Sequence, residues 1–357
     1  MNRVIISGAT GVLGYELAKK LVRELRDIEI VCFYRNSDPR LEYLKLNAVN
    51  GNTVKFLSCN LSVSDCIDYT IQSLSPVDEC LGIHCAADVA WNKTLAEVIP
   101  INVQGSINFC EILRRTSKSP KIIYLSSAYT STRDWEYRNT YEESKAMGEM
   151  EIKKRYPEMP ISVFSCSLVV GNSSTGAIGR FHGIYPLLKF ATLFDVPFFV
   201  GRKNCLIDLV PVDWTIEQLA ALVNRSMNGN YNEDVVAAGG ECRIPLIELA
   251  AIIYKQINKH RSEMGYPPKP VPPILSYRQW LFIQRTVKIW DIKGLPPRKF
   301  RYFEELLESY KHYIDNDKVL PPRNITCHAP DPRSYFDIVI DYWFNTNKEL
   351  ISKRWKG

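Results

Sequence analysis

The stretch Val4–Gly14, read VIISGATGVLG, limits the fold more than any other part of the chain. Its apolar and small residues through Ser7 predict a buried strand. Glycines at 8, 11 and 14 then interrupt the run, and from Tyr15 apolar residues recur at helical spacing. The order is strand, tight turn, helix. Gly8 allows the turn, Gly11 lets backbone N–H groups approach a pyrophosphate, and Gly14 lets helix and strand pack closely. The N–H groups of Thr10, Gly11, Val12, Leu13 and Gly14, together with the helix dipole, favour a bound dianion. An ordinary glycine turn has the same spacing. Position favours the dinucleotide reading, because the turn stands where a first βα unit belongs.

The alternation continues downstream. Residues 28–35, 53–57, 81–87, 121–127 and 161–170 read as strands, and 235–239 as a last one. Helices are expected at 12–25, 95–115 and 141–155. This pattern predicts an α/β fold with a doubly wound parallel sheet of the Rossmann type, ligands lying beyond the carboxyl ends of the strands. After Gly171 the alternation loosens. The apolar run 184–194 fits core, pocket lining or a membrane surface. A helix follows Asp213 to about Met227, and the proline cluster 267–273 marks a rigid turn or linker. Beyond it the chain is aromatic, basic and mainly helical. The expected division is a dinucleotide-binding domain of residues 1–170 plus 206–239 and a smaller substrate lobe of 171–205 plus 240–357.

A chain of 357 residues with 46% hydrophobic and 24% charged content can bury a sizeable core. The first strand begins almost at Met1, so no leader peptide is expected, and no apolar run is long enough to span a bilayer. Ten cysteines are scattered singly without a CxxC pair, and the five histidines lack ligand spacing. Free thiols, no metal site and a reduced cytoplasmic compartment are the expectation. The net charge of +6 fits plain solubility, or attraction to an anionic cofactor, coenzyme A or an acidic carrier protein. Basic residues without aromatic interleaving argue against nucleic acid.

Arg35, at the end of the second strand, replaces the acidic residue that would bind the ribose 2′-hydroxyl of NAD. It suits the 2′-phosphate of NADP, with a surface arginine as the alternative. Asn60, followed by Leu61, is the candidate adenine contact, and Ala86 and Ala87 leave room for a cofactor against the fourth strand. Tyr141 and Lys145 share one helical face at i and i+4. A tyrosine titrates near ~10, so it is a poor acid–base at neutral pH unless a cation such as the Lys145 ammonium stabilises the phenolate. Lys145 can also reach the nicotinamide ribose. Ser126 and Ser127 offer a hydroxyl to hold a substrate oxygen.

Gly8, Gly11, Gly14, Asn102, Ser127, Tyr141 and Lys145 resemble the extended short-chain dehydrogenase/reductase pattern. The stretches 84–91, 102–105, 141–149, 171–176 and 210–213 resemble a narrower branch, the thioester reductases and fatty acyl-CoA reductases of the male-sterility type. The resemblance covers about residues 3–240 well and the last third loosely. It implies an NADP-dependent oxidoreductase with a Ser–Tyr–Lys triad in which Ser127 takes the Ser/Thr place. Three positions depart from the branch: Ser127 stands where threonine is usual, Asn60 where aspartate is, and Ser165-Cys166 where Arg-Pro is. Asn102 is a candidate relay, helix-kink or purely structural residue. Thr175 and Gly176 bound an acyl channel or form an ordinary loop. The implied substrate is an acyl thioester on coenzyme A or a carrier protein, reduced to aldehyde or alcohol. The competing readings are a related reductase, epimerase or dehydratase of a nucleotide sugar or small ketone, and a non-catalytic NADP sensor.

Overall fold

A computed structural model describes residues 2–130, 137–287 and 317–355, together with parts of 301–314. The chain divides into two compact units. The first contains residues 1–167, 212–238 and 320–328; the second contains 168–211, 239–319 and 329–357.

In the first unit a seven-stranded parallel sheet is formed by β1 (Arg3–Ser7), β2 (Glu29–Tyr34), β3 (Thr53–Ser58), β4 (Val77–His84), β5 (Ser117–Ser127), β6 (Ile161–Cys166) and an edge strand at Asp234–Ala237. The order is edge strand, β6, β5, β4, β1, β2, β3. Chain order reverses between β1 and β4, the switch point at which open α/β sheets bind ligands. Val4, Ile5 and Ile6 are fully buried, as expected of a central strand covered on both faces. The helices are α1 (Val12–Glu24), α2 (Arg40–Leu46), α3 (Ser64–Gln72), α4 (Leu95–Ile99), α5 (Gly105–Thr116) and α6 (Thr140–Arg155), with a later one at Val212–Met227. That later helix packs on α1, while α3 and α6 pack on α5. Phe33, Phe109, Tyr124 and Ile152 belong to the core between sheet and helices.

Three expectations need correction here. The helix foreseen over 95–115 is not continuous: between α4 and α5 the chain forms a π-helical turn at Pro100–Gln104. Pro100 has no N–H to give and its ring crowds the preceding turn, so the ladder widens and Gly105 N–H bonds the Pro100 carbonyl five residues back. The strand foreseen over 161–170 ends at Cys166. Ser167 N–H still bonds the Ala237 carbonyl at 3.1 Å, and β7 (Leu168–Val170) then leaves to pair in the second unit. The strand foreseen at 81–87 starts and ends earlier, and the chain beyond His84 is irregular.

The second unit contains α7 (Tyr185–Leu193), β8 (Phe199–Val200), β9 (Leu206–Ile207), β10 (Leu209–Pro211), and, after the excursion 212–238 in the first unit, β11 (Ile244–Pro245), α8 (Leu246–Glu263), β12 (Ile274–Leu275), α9 (Tyr277–Val287), α10 (Phe336–Thr346) and α11 (Lys348–Trp355). β7 pairs with β10, β9 with β11, and β8 with β12. The apolar run 184–194 supplies α7, whose Tyr185, Leu188 and Ala191 join a core with Tyr335, Phe336 and Trp343. Residues 206–211 thus lie with the second unit. Residues 320–328 lie with the first, where Leu320 N–H donates to the Ala128 carbonyl at 2.8 Å and Arg323 bridges Val236. Among the described residues no helix is long and apolar enough to cross a membrane, and no three metal-ligating side chains cluster.

Candidate active site

The glycine turn is held by geometry that only glycine meets. Gly8 has φ +68°, and a Cβ there would lie 2.7 Å from Ala86 N; a Cβ on Gly14 would lie 2.3 Å from the Gly8 carbonyl oxygen. Ala86 is thereby pressed against the turn, and Ala87 follows it. Gly11 caps α1 without a side-chain cap, and the first turn of α1 carries no acidic residue. Val12, Leu13 and Gly14 form that first turn. An uncapped helix start beside a glycine cradle fits a pyrophosphate.

Arg35 is exposed just beyond β2. A second arginine, which local sequence gave no reason to select, reaches the same turn: Arg40 Nη2 donates to the Thr10 carbonyl at 3.0 Å, and its guanidinium lies over the Tyr15 ring at 4.6 Å. Asn60 Oδ1 accepts from Ser62 Oγ at 2.8 Å, closing the turn after β3, while the Leu61 carbonyl accepts from Asn108 Nδ2 at 2.7 Å.

Sheet register sets the next layer. Ser7 pairs with His84, and His84 with Tyr124, so the three side chains lie in one row across β1, β4 and β5. Ser106 Oγ gives its proton to the Asn102 carbonyl at 2.7 Å and must therefore accept from His84 Nε2 at 3.0 Å. Nε2 then carries the proton, and Nδ1 accepts from Ser7 Oγ at 2.8 Å. Burial, and secondarily the Lys145 charge, hold the His84 pKa far below its ordinary value, so the ring is neutral.

Asn102 is fully buried in the π turn. Its Nδ2 donates to the Asp88 carbonyl at 3.0 Å and to Ser144 Oγ at 2.8 Å, and its Oδ1 accepts from Asp88 N–H at 2.7 Å. With both N–H groups committed, Asn102 braces the Asp88 loop against α6. Gly148 permits this contact, since a Cβ there would meet the Asn102 carbonyl at 2.6 Å.

The α6 helix starts at the Asn139 cap, whose Oδ1 accepts from Glu142 N–H at 3.0 Å, so Tyr141 falls in its first turn. Lys145, one turn on, is buried, with its ammonium 4.0 Å from the Tyr124 ring centroid. Ser127 ends β5 opposite Cys166, and its Oγ accepts from Tyr129 N–H at 3.2 Å, leaving its own O–H free to donate. Ser126 and Ser127 point to opposite faces of the strand and cannot share one task.

The electrostatics differ from expectation in one respect. Burial, with the Cys166 and Glu142 charges behind it, drives the Tyr141 pKa well above its ordinary value. Burial also lowers Lys145 to about 8, against the opposing influence of Cys85, Glu149 and Cys166. The protein alone does not place Lys145 so as to depress the Tyr141 phenol, because the ammonium rests on Tyr124. The thiols of Cys85 and Cys166 are pushed up to about 12 by burial, so neither is a ready nucleophile.

Thr175 and Gly176 belong to the second unit. Gly176, with φ +71°, packs so tightly on α10 that a Cβ would lie 2.5 Å from the Ile338 carbonyl oxygen, and Thr175 N–H bonds Asn172 Oδ1 at 3.0 Å. These bonds describe a closed turn.

The strand order and the glycine cradle are those of a Rossmann-type dinucleotide-binding unit. Residues 77–136 and 130–219 match the NAD-binding family model of the male sterility proteins. Similar curated proteins are fatty acyl-CoA reductase 1 of Xenopus laevis and the alcohol-forming fatty acyl-CoA reductase of Simmondsia chinensis. The first is 21% identical over 290 residues, covering 64% of this chain and 56% of the relative. The second is 23% identical over 159 residues, covering 42% and 31%. The chain thus spans about half the length of one and a third of the other. Among solved structures, the terminal R domain of the myxalamid PKS-NRPS pathway aligns with TM-score 0.68 at 15% identity, covering 98% of this chain and 92% of that one. UDP-glucose 4-epimerase of Thermotoga maritima aligns at 0.61 and 15%, covering 96% and 99%. At such identity these structures share the fold.

Proposed function

We propose that the protein is an NADPH-dependent reductase of acyl thioesters carried on coenzyme A or a carrier protein, giving aldehyde or alcohol. The observation that carries this reading is the buried Tyr141, kept protonated at neutral pH by its burial, in a chain whose middle matches the male sterility family model. A bound NADPH supplies hydride to the carbonyl carbon. The free O–H of Ser127 donates to the carbonyl oxygen, and Tyr141 gives its proton to that oxygen as negative charge develops. Lys145 contributes positive charge nearby and reaches toward the ribose hydroxyls. Collapse of the resulting adduct breaks the C–S bond and releases thiol. The exposed Arg35 just beyond β2 supports NADP over NAD, while Arg40 is paired with Asp38 at 2.6 Å and braces the turn.

The test is NADPH consumption across a panel of acyl-CoA and acyl-carrier thioesters, with Tyr141→Phe as control. Turnover that stops in the variant, with NADPH binding retained, is expected. Tight NADPH binding without consumption on any thioester would overturn the reductase reading. It would favour an epimerase or dehydratase, which recycles its cofactor.

A further inference from the structure

We propose that Tyr124 is a positioning residue that holds the Lys145 ammonium on the face of its ring. The inference rests on the reading of Lys145 as part of the reductase site. Tyr124 grips Lys145 at two points: the ring face meets the ammonium at 4.0 Å, and the phenol O–H donates to the Lys145 backbone carbonyl at 3.0 Å. Tyr124 is fully buried and Lys145 is 2% exposed. Among the described residues the ammonium makes no ion pair, so the ring quadrupole is the attraction that the geometry offers to a charge removed from water. Gly148 admits the phenol, since a Cβ there would stand 2.7 Å from its oxygen. His84 stacks along the same row, with ring centroids 5.8 Å apart and planes at 24°. Because Ser7 and Ser106 fix His84 as the neutral tautomer, no second positive charge competes for the tyrosine ring. The other titratable groups facing Lys145 are Cys85 beyond β4, Cys166 at the end of β6 and Glu149 on α6.

The experiment replaces Tyr124 with Phe and then with singly, doubly and fully fluorinated phenylalanines. These keep the ring's shape while progressively removing its negative face. In 15N-lysine-labelled protein the Lys145 Nζ resonance, assigned with Lys145→Arg, is titrated by NMR without cofactor and with NADPH. Tyr124→Phe should leave the midpoint within about 0.3 pH units, and full fluorination should lower it by roughly one unit, a tenfold change in proton affinity. The partly fluorinated proteins should fall in order between them, and they keep the test open if the fully fluorinated one does not fold. A flat series, or a Phe variant displaced as far as the fluorinated one, would overturn the proposal. The titration needs no thioester turnover, so failure to find a substrate would count against the reductase reading alone.

Discussion

Replacing Lys145 with methionine should stabilise the protein at neutral pH while removing its activity. Burial brings the lysine from its ordinary 10.5 to about 8, a shift equivalent to about 3 kcal/mol in the cost of carrying the charge. That shift is the net cost of the charge in the fold, so the expected gain at pH 7 is about 3 kcal/mol. The pH dependence has a definite sign. Below about pH 8 the lysine is charged in folded and unfolded chains alike, and the folded protein bears the whole cost. Between about 8 and 10.5 the folded lysine is neutral while the unfolded one still holds its proton, so wild-type stability rises with pH. Above 10.5 the difference vanishes. The assay is urea unfolding of both proteins between pH 7 and 11, paired with hydrogen exchange of β5 and α6 amides to follow the first unit by itself. A variant less stable than wild type at pH 7, or a difference that does not change with pH, would refute the argument.

Arg35→Glu should weaken NADPH binding by roughly 10–100-fold and leave NADH binding within about twofold, as measured by calorimetry, because a charge-assisted bond to phosphate contributes ~1.5–3 kcal/mol. Equal losses for the two cofactors would sink the 2′-phosphate assignment. Gly148→Ala places a methyl group 2.6 Å from the Asn102 carbonyl and 2.7 Å from the Tyr124 hydroxyl, two buried and braced neighbours. It should cost about 1–3 kcal/mol in urea unfolding, and an unchanged midpoint would show that α6 can move away from the π turn.

What the sequence made legible was local. The glycine turn, the serine at the end of β5 and the Tyr141–Lys145 pair are defined by spacings of a few residues within one turn or helix. What escaped was set by pairings between distant segments. His84 and Tyr124 read as ordinary strand residues. Only the sheet order, which sets β4 between β1 and β5, aligns them with Ser7 in one row. The π turn escaped for a different reason: the apolar spacing of 95–115 continues across Pro100, and the widened ladder is visible only in the hydrogen bonds. Arg40 was hidden because the short helix α2 that carries it has too few turns to show a period.

The same burial acts on the two ionisable members of the site in opposite senses, and that fixes their order of titration. Free in water, tyrosine and lysine lose their protons at nearly the same pH, so neither is marked as the donor. Inside the first unit the phenol is driven up and the ammonium down to about 8. Lysine therefore deprotonates first, and Tyr141 keeps its proton through the whole neutral range. A reduction needs this arrangement, because the group meeting the developing oxyanion must still have a proton to give. Lys145, which titrates at about 8 on a ring face and has no carboxylate partner among the described residues, remains free to turn toward negative charge when it appears. A carboxylate in place of Tyr124 would hold the lysine charged but also bound. The aromatic face keeps the charge in place while leaving it available.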